Sequence, residues 1–155
     1  MLVPVVRIGL ISDTHGLLRP EATAFLAGCA HIVHAGDVGN RDILDKLAAI
    51  APLSAVRGNN DTDVWAADLM PTILLTVGSV RIYAIHDLAQ LDIDPCTAGI
   101  RVVVSGHSHN PKVREEGGVL YVNPGSAGPR RFKLPVSIGE LLIDGNSVVA
   151  RLATL

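Results

Sequence analysis

The sequence predicts an α/β fold in which two packed mixed β-sheets carry helices on their outer faces. Short apolar runs alternate with segments of helical periodicity in the N-terminal part of the chain, and turn residues separate strand-like runs in the C-terminal part. The composition is 48% hydrophobic but only 3% aromatic, so Val, Ile, Leu and Ala have to fill the interior. With 155 residues, the chain fits one compact domain, residues 1–155.

The N-terminal part alternates between strands and helices. Pro20 suits the first turn of one helix, and Asn40 can cap the next one. A further short helix is expected over residues 63–69, after the third strand. The expected strands cover 7–12, 31–36 and 53–57, and the two longer helices cover 20–27 and 41–50.

Strands dominate the rest of the chain. The dipeptide Gly78-Ser79 is typical of a tight hairpin turn between two strands. After one more buried strand, turn-rich segments separate the last four strands, so we expect this part of the sheet system to be antiparallel. The expected strands cover 72–77, 80–85, 101–105, 112–115, 119–123, 136–143 and 147–152.

Charge and cysteine usage exclude several classes of function. The formal net charge is −2, so we expect neither strong nucleic-acid binding nor attraction to anionic lipid. The N-terminal segment lacks the pattern of a secretory signal, and no apolar stretch is long enough to cross a bilayer. Cys29 and Cys96 form no spaced pair that resembles a zinc or redox motif. These features predict a cytoplasmic protein without a membrane partner.

Five of the expected strands end at a side chain that can bind a metal ion. In open α/β sheets the ligand crevice lies at the carboxyl ends of the strands. In an extended segment residues i and i+2 point to the same side, so Asp13 with His15, and His107 with His109, can each present two ligands. Oxygen and imidazole ligands without thiolate suit Mn, Fe, Zn, Co or Ni. The five residues at the strand ends are Asp13, Asp37, Asn59, His86 and His107.

The motifs around these residues occur in a specific order. They read Asp13-Thr14-His15, Gly36-Asp37, Gly58-Asn59-Asn60-Asp61, His86 and Gly106-His107-Ser108-His109, followed by Asn123-Pro124-Gly125-Ser126. Together they resemble the metallophosphoesterase (calcineurin-like) superfamily, most closely its small bacterial and archaeal phosphodiesterase family. The resemblance runs over almost the whole chain and implies a four-layer αββα sandwich, an α/β (α+β) fold of two mixed β-sheets flanked by helices.

The resemblance also implies a mechanism. Two divalent cations, Mn²⁺ in the first place and Ni²⁺, Fe²⁺, Zn²⁺ or Co²⁺ as alternatives, would share a hydroxide that attacks phosphorus in line. The predicted substrate is a small phosphodiester. By the same resemblance, Asp13, His15 and His109 would hold one ion, Asn59, His86 and His107 would hold the second, and Asp37 would bridge the two.

Four further positions have alternative roles. Asn60 stands where larger family members have a histidine that helps to protonate the leaving group, and an amide cannot replace that acid. Asp61 could orient Asn60 or cap the following helix; these two are the candidate catalytic side chains. Asp87 stands where glycine is usual and could brace a ligand or crowd the pocket. Arg130 could contact a substrate phosphate or lie on a surface loop.

Other functions remain open at this point. A subunit of the retromer complex has this fold and works as a protein-interaction scaffold, but its lineage lost histidines of the metal set, whereas every ligand position is filled here. A phosphomonoesterase or a nuclease is a second alternative. His31 and His34 lie within a strand and are expected to be structural, with His34 close enough to Asp37 to pack beneath the site. The resemblance is also compatible with a homodimer.

Overall fold

The computed structural model describes residues 4–155, which form ten strands and two α-helices. Single 3₁₀ turns lie at Val64–Ala66 and Leu88–Gln90. The helices are α1 (Pro20–Leu26) and α2 (Arg41–Ala48). The strands are β1 (Val6–Ile11), β2 (His31–His34), β3 (Leu53–Ala55), β4 (Thr72–Val77), β5 (Val80–Ile85), β6 (Val102–Val104), β7 (Lys112–Glu116), β8 (Val119–Asn123), β9 (Ser137–Asp144) and β10 (Ser147–Thr154).

The strands form two five-stranded mixed sheets. The first sheet has the order β10-β9-β1-β2-β3 and the second has the order β4-β5-β6-β8-β7. Three neighbouring strands are parallel in each sheet, namely β1, β2 and β3 in the first and β5, β6 and β8 in the second. Each sheet therefore has one edge at which the carboxyl ends of three parallel strands meet.

Aliphatic side chains fill the space between the two sheets. Ile8, Leu10 and Val33 of the first sheet pack in one buried cluster with Ile82 and Val104 of the second. Within residues 4–155, the fully buried hydrophobic side chains include no aromatic ring, as the composition predicts. Burial of this apolar surface is the main stabilising term that holds the sheets together.

The outer faces of the sheets are covered differently. On the first sheet, Ala22 and Leu26 of α1 and Ile43 and Leu47 of α2 close a second buried cluster. On the second sheet, the covering residues come from the segment 88–100, which contains a 3₁₀ turn but, in the described chain, no α-helix. The α/β sandwich of two mixed sheets is confirmed, and its fourth layer is thinner than the helical layer that we expected.

Most expected elements are present, with shifts of one or two residues at their ends. The side chain of Asn40 accepts a hydrogen bond from the backbone N–H of Ile43 at 3.2 Å and so caps α2 as predicted. The expected helix over 63–69 is wrong: only the 3₁₀ turn Val64–Ala66 forms there. Asp63 makes no side-chain capping bond within the described chain, and Val64 is exposed, so neither a cap nor burial supports a longer helix here.

The expected antiparallel arrangement of the last strands holds only in part. β7 pairs antiparallel with β8, and β9 pairs antiparallel with both β10 and β1. However, β8 is parallel to β6. The polar strand β7 occupies the sheet edge, which leaves the inner position to the apolar strand β8 and sets its direction.

No helix within residues 4–155 has the length and apolar character that a bilayer span requires.

Candidate metal centre

The predicted ligands lie where the parallel edges of the two sheets meet. Asp13, Asp37 and Asn59 follow β1, β2 and β3, while His86 and His107 follow β5 and β6. Backbone hydrogen bonds join neighbouring loops, from Asp13 N–H to the Gly36 carbonyl at 3.0 Å and from Gly106 N–H to the His86 carbonyl at 2.9 Å. The strand-end pattern in the sequence therefore corresponds to one contiguous cluster in the fold.

One group of ligand atoms consists of Asp13, His15 and His109. His109 Nε2 lies 3.3 Å from Asp13 Oδ1 and 3.4 Å from His15 Nε2. His15 Nε2 lies 3.8 Å from the same carboxylate oxygen. Three ligand atoms within 4.8 Å of one another can surround a single cation.

A second group lies beside the first. His86 Nε2 is 3.3 Å from Asp37 Oδ2 and 3.0 Å from Asn59 Oδ1. His107 joins this group through Nδ1, which lies 3.2 Å from Asn59 Oδ1. Asp37 also faces the first group, because its Oδ2 atom is 3.7 Å from His15 Nε2. This is the placement that a residue bridging two ions requires.

The ring of His86 has a defined orientation. Its Nδ1 atom lies 2.7 Å from the carbonyl oxygen of Ala35. A carbonyl can only accept, so Nδ1 carries a hydrogen whether the ring is charged or neutral. When the ring is neutral, Nε2, on the side of Asp37 and Asn59, is therefore the nitrogen with the free lone pair. A backbone partner of this kind fixes the tautomer of a metal-ligating histidine before the ion arrives.

Asp13 provides the test of whether these residues fit a cation. Its Oδ1 atom is buried and has no hydrogen-bond partner among the described residues, although Nε2 atoms of His15, His86 and His109 lie 3.3–4.0 Å away. Burial raises the pKa of Asp13, against the opposing effects of the Ser12 hydroxyl and of the His86 and His109 charges. A buried carboxylate oxygen without a partner, surrounded by imidazoles, suits a divalent cation.

Asp37 and His86 form an ion pair at the centre of the cluster. Burial alone would raise the pKa of Asp37, but hydrogen bonds from His86 and from the Asn60 backbone N–H outweigh it and lower the pKa to about 2. Burial alone would lower the pKa of His86, but the hydrogen bonds to Asp37 and to the Ala35 carbonyl raise it. Asp37 is thus held as a carboxylate, the form that binds a cation.

The backbone of the cluster is left-handed at five predicted ligands. The φ angles are +55° at Asp13, +45° at His15, +57° at Asp37, +70° at His107 and +60° at His109. Our argument from an extended i, i+2 segment was therefore wrong. Asp13 and His15 do converge, but through a turn, and His107 and His109 face different groups. Left-handed residues other than glycine are uncommon and cluster at functional sites.

Asn60 and Asp61 hold the ligand loops in place. Asn60 donates to Asp37 through both its backbone N–H at 2.9 Å and its side-chain amide at 3.1 Å. The buried carboxylate of Asp61 accepts from the backbone N–H groups of Val38, Gly39 and Gly58 at 2.9–3.2 Å. These contacts give Asp61 a positioning role, and the expectation that it could cap the following helix is wrong. Its predicted catalytic role stays a prediction.

Three further side chains brace the cluster, and sequence reasoning predicted the position of only one of them. His34, which we expected beneath the site, is fully buried and contacts Thr14 Oγ1 through Nε2 at 3.0 Å. The Ser126 hydroxyl donates to the Asp13 carbonyl at 3.0 Å, and the Asn123 amide donates to the Gly106 carbonyl at 2.9 Å. The Asn-Pro-Gly-Ser motif was a signal for the last two contacts, but not for what they bind.

Arg130 and Asp87 lie at the margin of the cluster. Arg130 is exposed and makes no hydrogen bond or ion pair within residues 4–155. The charge of its neighbour Arg131 reaches His109, where it adds to the effect of burial in lowering the pKa. Asp87 caps the 3₁₀ turn through Ala89 N–H at 3.0 Å, and its Oδ2 atom lies 3.9 Å from His107 Nε2.

Comparison with known proteins identifies the family. Residues 6–145 match the Calcineurin-like phosphoesterase superfamily domain. The chain belongs to this superfamily. A relative from Methanothermobacter thermautotrophicus, described as a probable metallophosphoesterase, is 36% identical over 158 residues, which cover 94% of this chain and 90% of the relative. Family membership implies a metal-dependent phosphoester hydrolase, and the two ligand groups are its candidate divalent-metal sites.

Solved structures share the fold of this phosphoesterase domain. Vacuolar protein sorting 29 from Cryptosporidium parvum superposes with a TM-score of 0.85 at 21% identity, covering 97% of this chain and 92% of that one. A structure described as a novel archaeal phosphodiesterase gives a TM-score of 0.81 at 23% identity, covering 97% and 100%. At these identities the likeness concerns the fold alone.

Proposed function

We propose that this phosphoesterase is a phosphodiesterase of small substrates that works with two divalent cations, with Mn²⁺ as the first metal to test. The observation that carries the proposal is the convergence of predicted ligands around Asp13 Oδ1 and Asp37 Oδ2, which lie within 4.0 Å of the Nε2 atoms of His15, His86 and His109. Asn59 lies beside His86, and His107 beside Asn59. A structural role for these histidines would not require a buried carboxylate oxygen without a hydrogen-bond partner.

Each ligand group would hold one of the two ions. Asp13, His15 and His109 would hold the first, and Asn59, His86 and His107 the second, with Asp37 between them. When bound, the cations supply an acidified water for in-line attack and neutralise charge on the phosphate oxygens. The protein keeps Asp37 ionised, fixes the His86 tautomer through Ala35, and holds the Asn59 loop through Asp61.

The preference for diesters rests on Asn60. Its side-chain amide donates to Asp37, so this position offers the leaving group no titratable proton. General acid–base assistance contributes about 10²–10⁴-fold to rate. Without it at this position, esters whose leaving groups need no protonation are favoured. The neutral amide of Asn60 also offers no charge to pair with the second negative charge of a monoester, which favours diesters over monoesters.

Metal-dependent turnover tests the proposal directly. Protein stripped with a chelator is incubated with Mn²⁺, Ni²⁺, Co²⁺, Fe²⁺ or Zn²⁺ and either bis(p-nitrophenyl) phosphate or p-nitrophenyl phosphate. We expect Mn²⁺-dependent release of nitrophenol, faster from the diester. His109→Gln should abolish it, whereas His31→Gln, a matched change outside the cluster, should not.

Two results would contradict the proposal. Absence of turnover with all five metals would favour a non-catalytic interaction scaffold of the same fold. Faster hydrolysis of the monoester would favour a phosphomonoesterase. Anomalous scattering from crystals grown without chelator measures the number of bound ions independently of activity, and we expect two.

A further inference from the structure

Two cavities flank the residues Asp87 and His107. The larger, about 510 Å³, is lined by Asn59 and His86 and extends over Arg57. The smaller, about 240 Å³, lies over β7 and β8. Among the described lining residues, Asp87 and His107 are the two that both cavities share. A phosphate held at the second ligand group would therefore have a cavity on each side.

Two cross-strand pairs line the smaller cavity. Lys112 on β7 stands opposite Asn123 on β8, and Arg114 stands opposite Tyr121. Residues 112 and 114 point to the same face because side chains alternate along a strand. Leu88 adds an apolar contribution to the wall. The cavity thus combines a ring face, an amide and two cationic side chains.

The two cations of this cavity are not equivalent. Arg114 pairs with Glu116 at 2.5 Å, and its guanidinium lies 4.1 Å from the centre of the Tyr121 ring. Lys112 makes no ion pair within residues 4–155 and is exposed at the cavity wall. The Asp87 carboxylate lies toward His107 and accepts from Ala89 N–H. Lys112 is therefore the charge that remains available to a ligand.

We propose that the smaller cavity is a substrate subsite for one ester arm of the diester, and that Lys112 selects an arm that carries its own anionic group. The inference rests on the proposed diesterase function. A phosphate monoester carries one organic substituent, or arm, and a diester carries two. Two cavities beside the same ligand group can accommodate the two arms of a diester. The ammonium of Lys112 supplies a charge-assisted hydrogen bond to a carboxylate or phosphate at the end of the arm.

Binding of a matched pair of inert probes tests the subsite without turnover. The probes are (2-carboxyethyl)(phenyl)phosphinic acid and propyl(phenyl)phosphinic acid, which differ in the terminal carboxylate and contain no ester bond. Calorimetry with the Mn²⁺-loaded protein should give a Kd about tenfold lower for the carboxyethyl probe. Lys112→Met should remove this preference, and Lys112→Arg should retain most of it.

The control is Lys46→Met, which changes an exposed lysine that pairs with Asp42 on α2, away from the lining of both cavities. This variant should keep the preference. Equal affinities of the wild type for both probes, no binding of either, or a preference that survives in Lys112→Met would each overturn the subsite.

Hydrolysis of two matched diesters tests the subsite and the proposed diesterase function separately. The matched substrates are 2-carboxyethyl p-nitrophenyl phosphate and propyl p-nitrophenyl phosphate. We expect KM to be about tenfold lower for the first, and Lys112→Met to remove that difference with little change in kcat. If the phosphinic acids show the binding preference but neither diester is hydrolysed, the diesterase function is wrong and the subsite stands.

Discussion

At the level of single residues, the candidate metal centre is built from side chains whose backbone is in an uncommon conformation. Five of the seven predicted ligands have positive φ angles, each at a cost of about 1–3 kcal/mol. The sequence was sufficient to predict which residues gather, because strand ends and motif order carry that information. It could not predict the left-handed turns, because Asp and His rarely adopt them and only the surrounding tertiary contacts impose them.

Asn60→His tests whether residue 60 governs selectivity. A protonated imidazole can pair with the second negative charge of a monoester dianion, which a neutral amide cannot, so we expect hydrolysis of phosphate monoesters to rise about tenfold relative to diesters. The measurement is the ratio of kcat/KM for p-nitrophenyl phosphate and bis(p-nitrophenyl) phosphate. Asn146→His, in the turn between β9 and β10, is the control, and a ratio equal to that of the control would mean that residue 60 has no such role.

At the level of secondary-structure elements, the strands were predictable and the contacts between their loops were not. Apolar runs that end at Asp13, Asp37 and His86 predict strands and ligands together. The contacts of Asp61 with Val38 and Gly39 join loops that are 23 and 22 residues apart, and no local pattern indicates them. Periodicity reports which face of an element is buried, but not which backbone N–H group a carboxylate will meet.

Asp61→Asn should weaken the junction between the loops that follow β2 and β3. An amide nitrogen would face backbone donors, so at least one buried N–H group would lose its acceptor. We expect the free energy of unfolding, measured with urea in the presence of chelator, to fall by about 2 kcal/mol. Asp63→Asn is the matched control on the exposed side of the same segment and should change stability little; equal losses in both variants would contradict this role for Asp61.

His34 should make the stability of the metal-free protein depend on pH. Its Nδ1 atom accepts from Gly36 N–H, and its Nε2 atom contacts a Thr14 hydroxyl that donates to Val38, so the folded state holds the neutral ring. Burial, with the nearby His86 charge, lowers the pKa of His34 from 6.5 to about 3. Between these values the unfolded chain binds more protons, so stability falls as the pH falls, by up to about 1.4 kcal/mol per pH unit.

Urea unfolding between pH 7 and pH 4 measures this effect. His34→Gln should flatten the pH dependence relative to the wild type. His31→Gln, on the same strand but only partly buried, should leave most of it. Parallel stability curves for the wild type and His34→Gln would show that His34 titrates normally in the folded state.

At the level of the whole molecule, the α/β class and the two mixed sheets were predictable, whereas the strand order was not. The antiparallel hairpin of β7 and β8 was expected from its turn, but β8 lies beside β6 and is parallel to it. Whether β7 or β8 lies beside β6 depends on which of the two strands is better suited to burial between neighbours. This is a comparison between strands and cannot be derived from the sequence of one strand alone. The thin layer over the second sheet was not predictable either. The segment 88–100 covers that sheet and contains one 3₁₀ turn.

Metal removal should lower the stability of the entire fold, because the ligands come from both sheets. Addition of Mn²⁺ at 100 times its Kd should raise the free energy of unfolding by about 2.7 kcal/mol per site. Asp13→Asn should lose the contribution of the first site. In chelator, however, it should be at least as stable as the wild type, because burial disfavours the charged Asp13 and raises its pKa.

Thermal unfolding with and without Mn²⁺ measures both effects. Asp144→Asn, an exposed change at the end of β9, should respond to Mn²⁺ like the wild type. A Mn²⁺-dependent increase in Asp13→Asn as large as that of the wild type would mean that Asp13 holds neither stabilising ion.

The pairing of β9 with β1 has a consequence for how the protein acquires its cations in the cell. On the ribosome, Asp13, His15, Asp37 and Asn59 emerge long before His107 and His109, and β1 gains its antiparallel neighbour only when residues 137–144 have been synthesised. A nascent chain therefore offers an incoming ion a partial set of ligands on an incomplete sheet. We therefore expect stable metal binding to follow translation, with the ion selected by the finished protein.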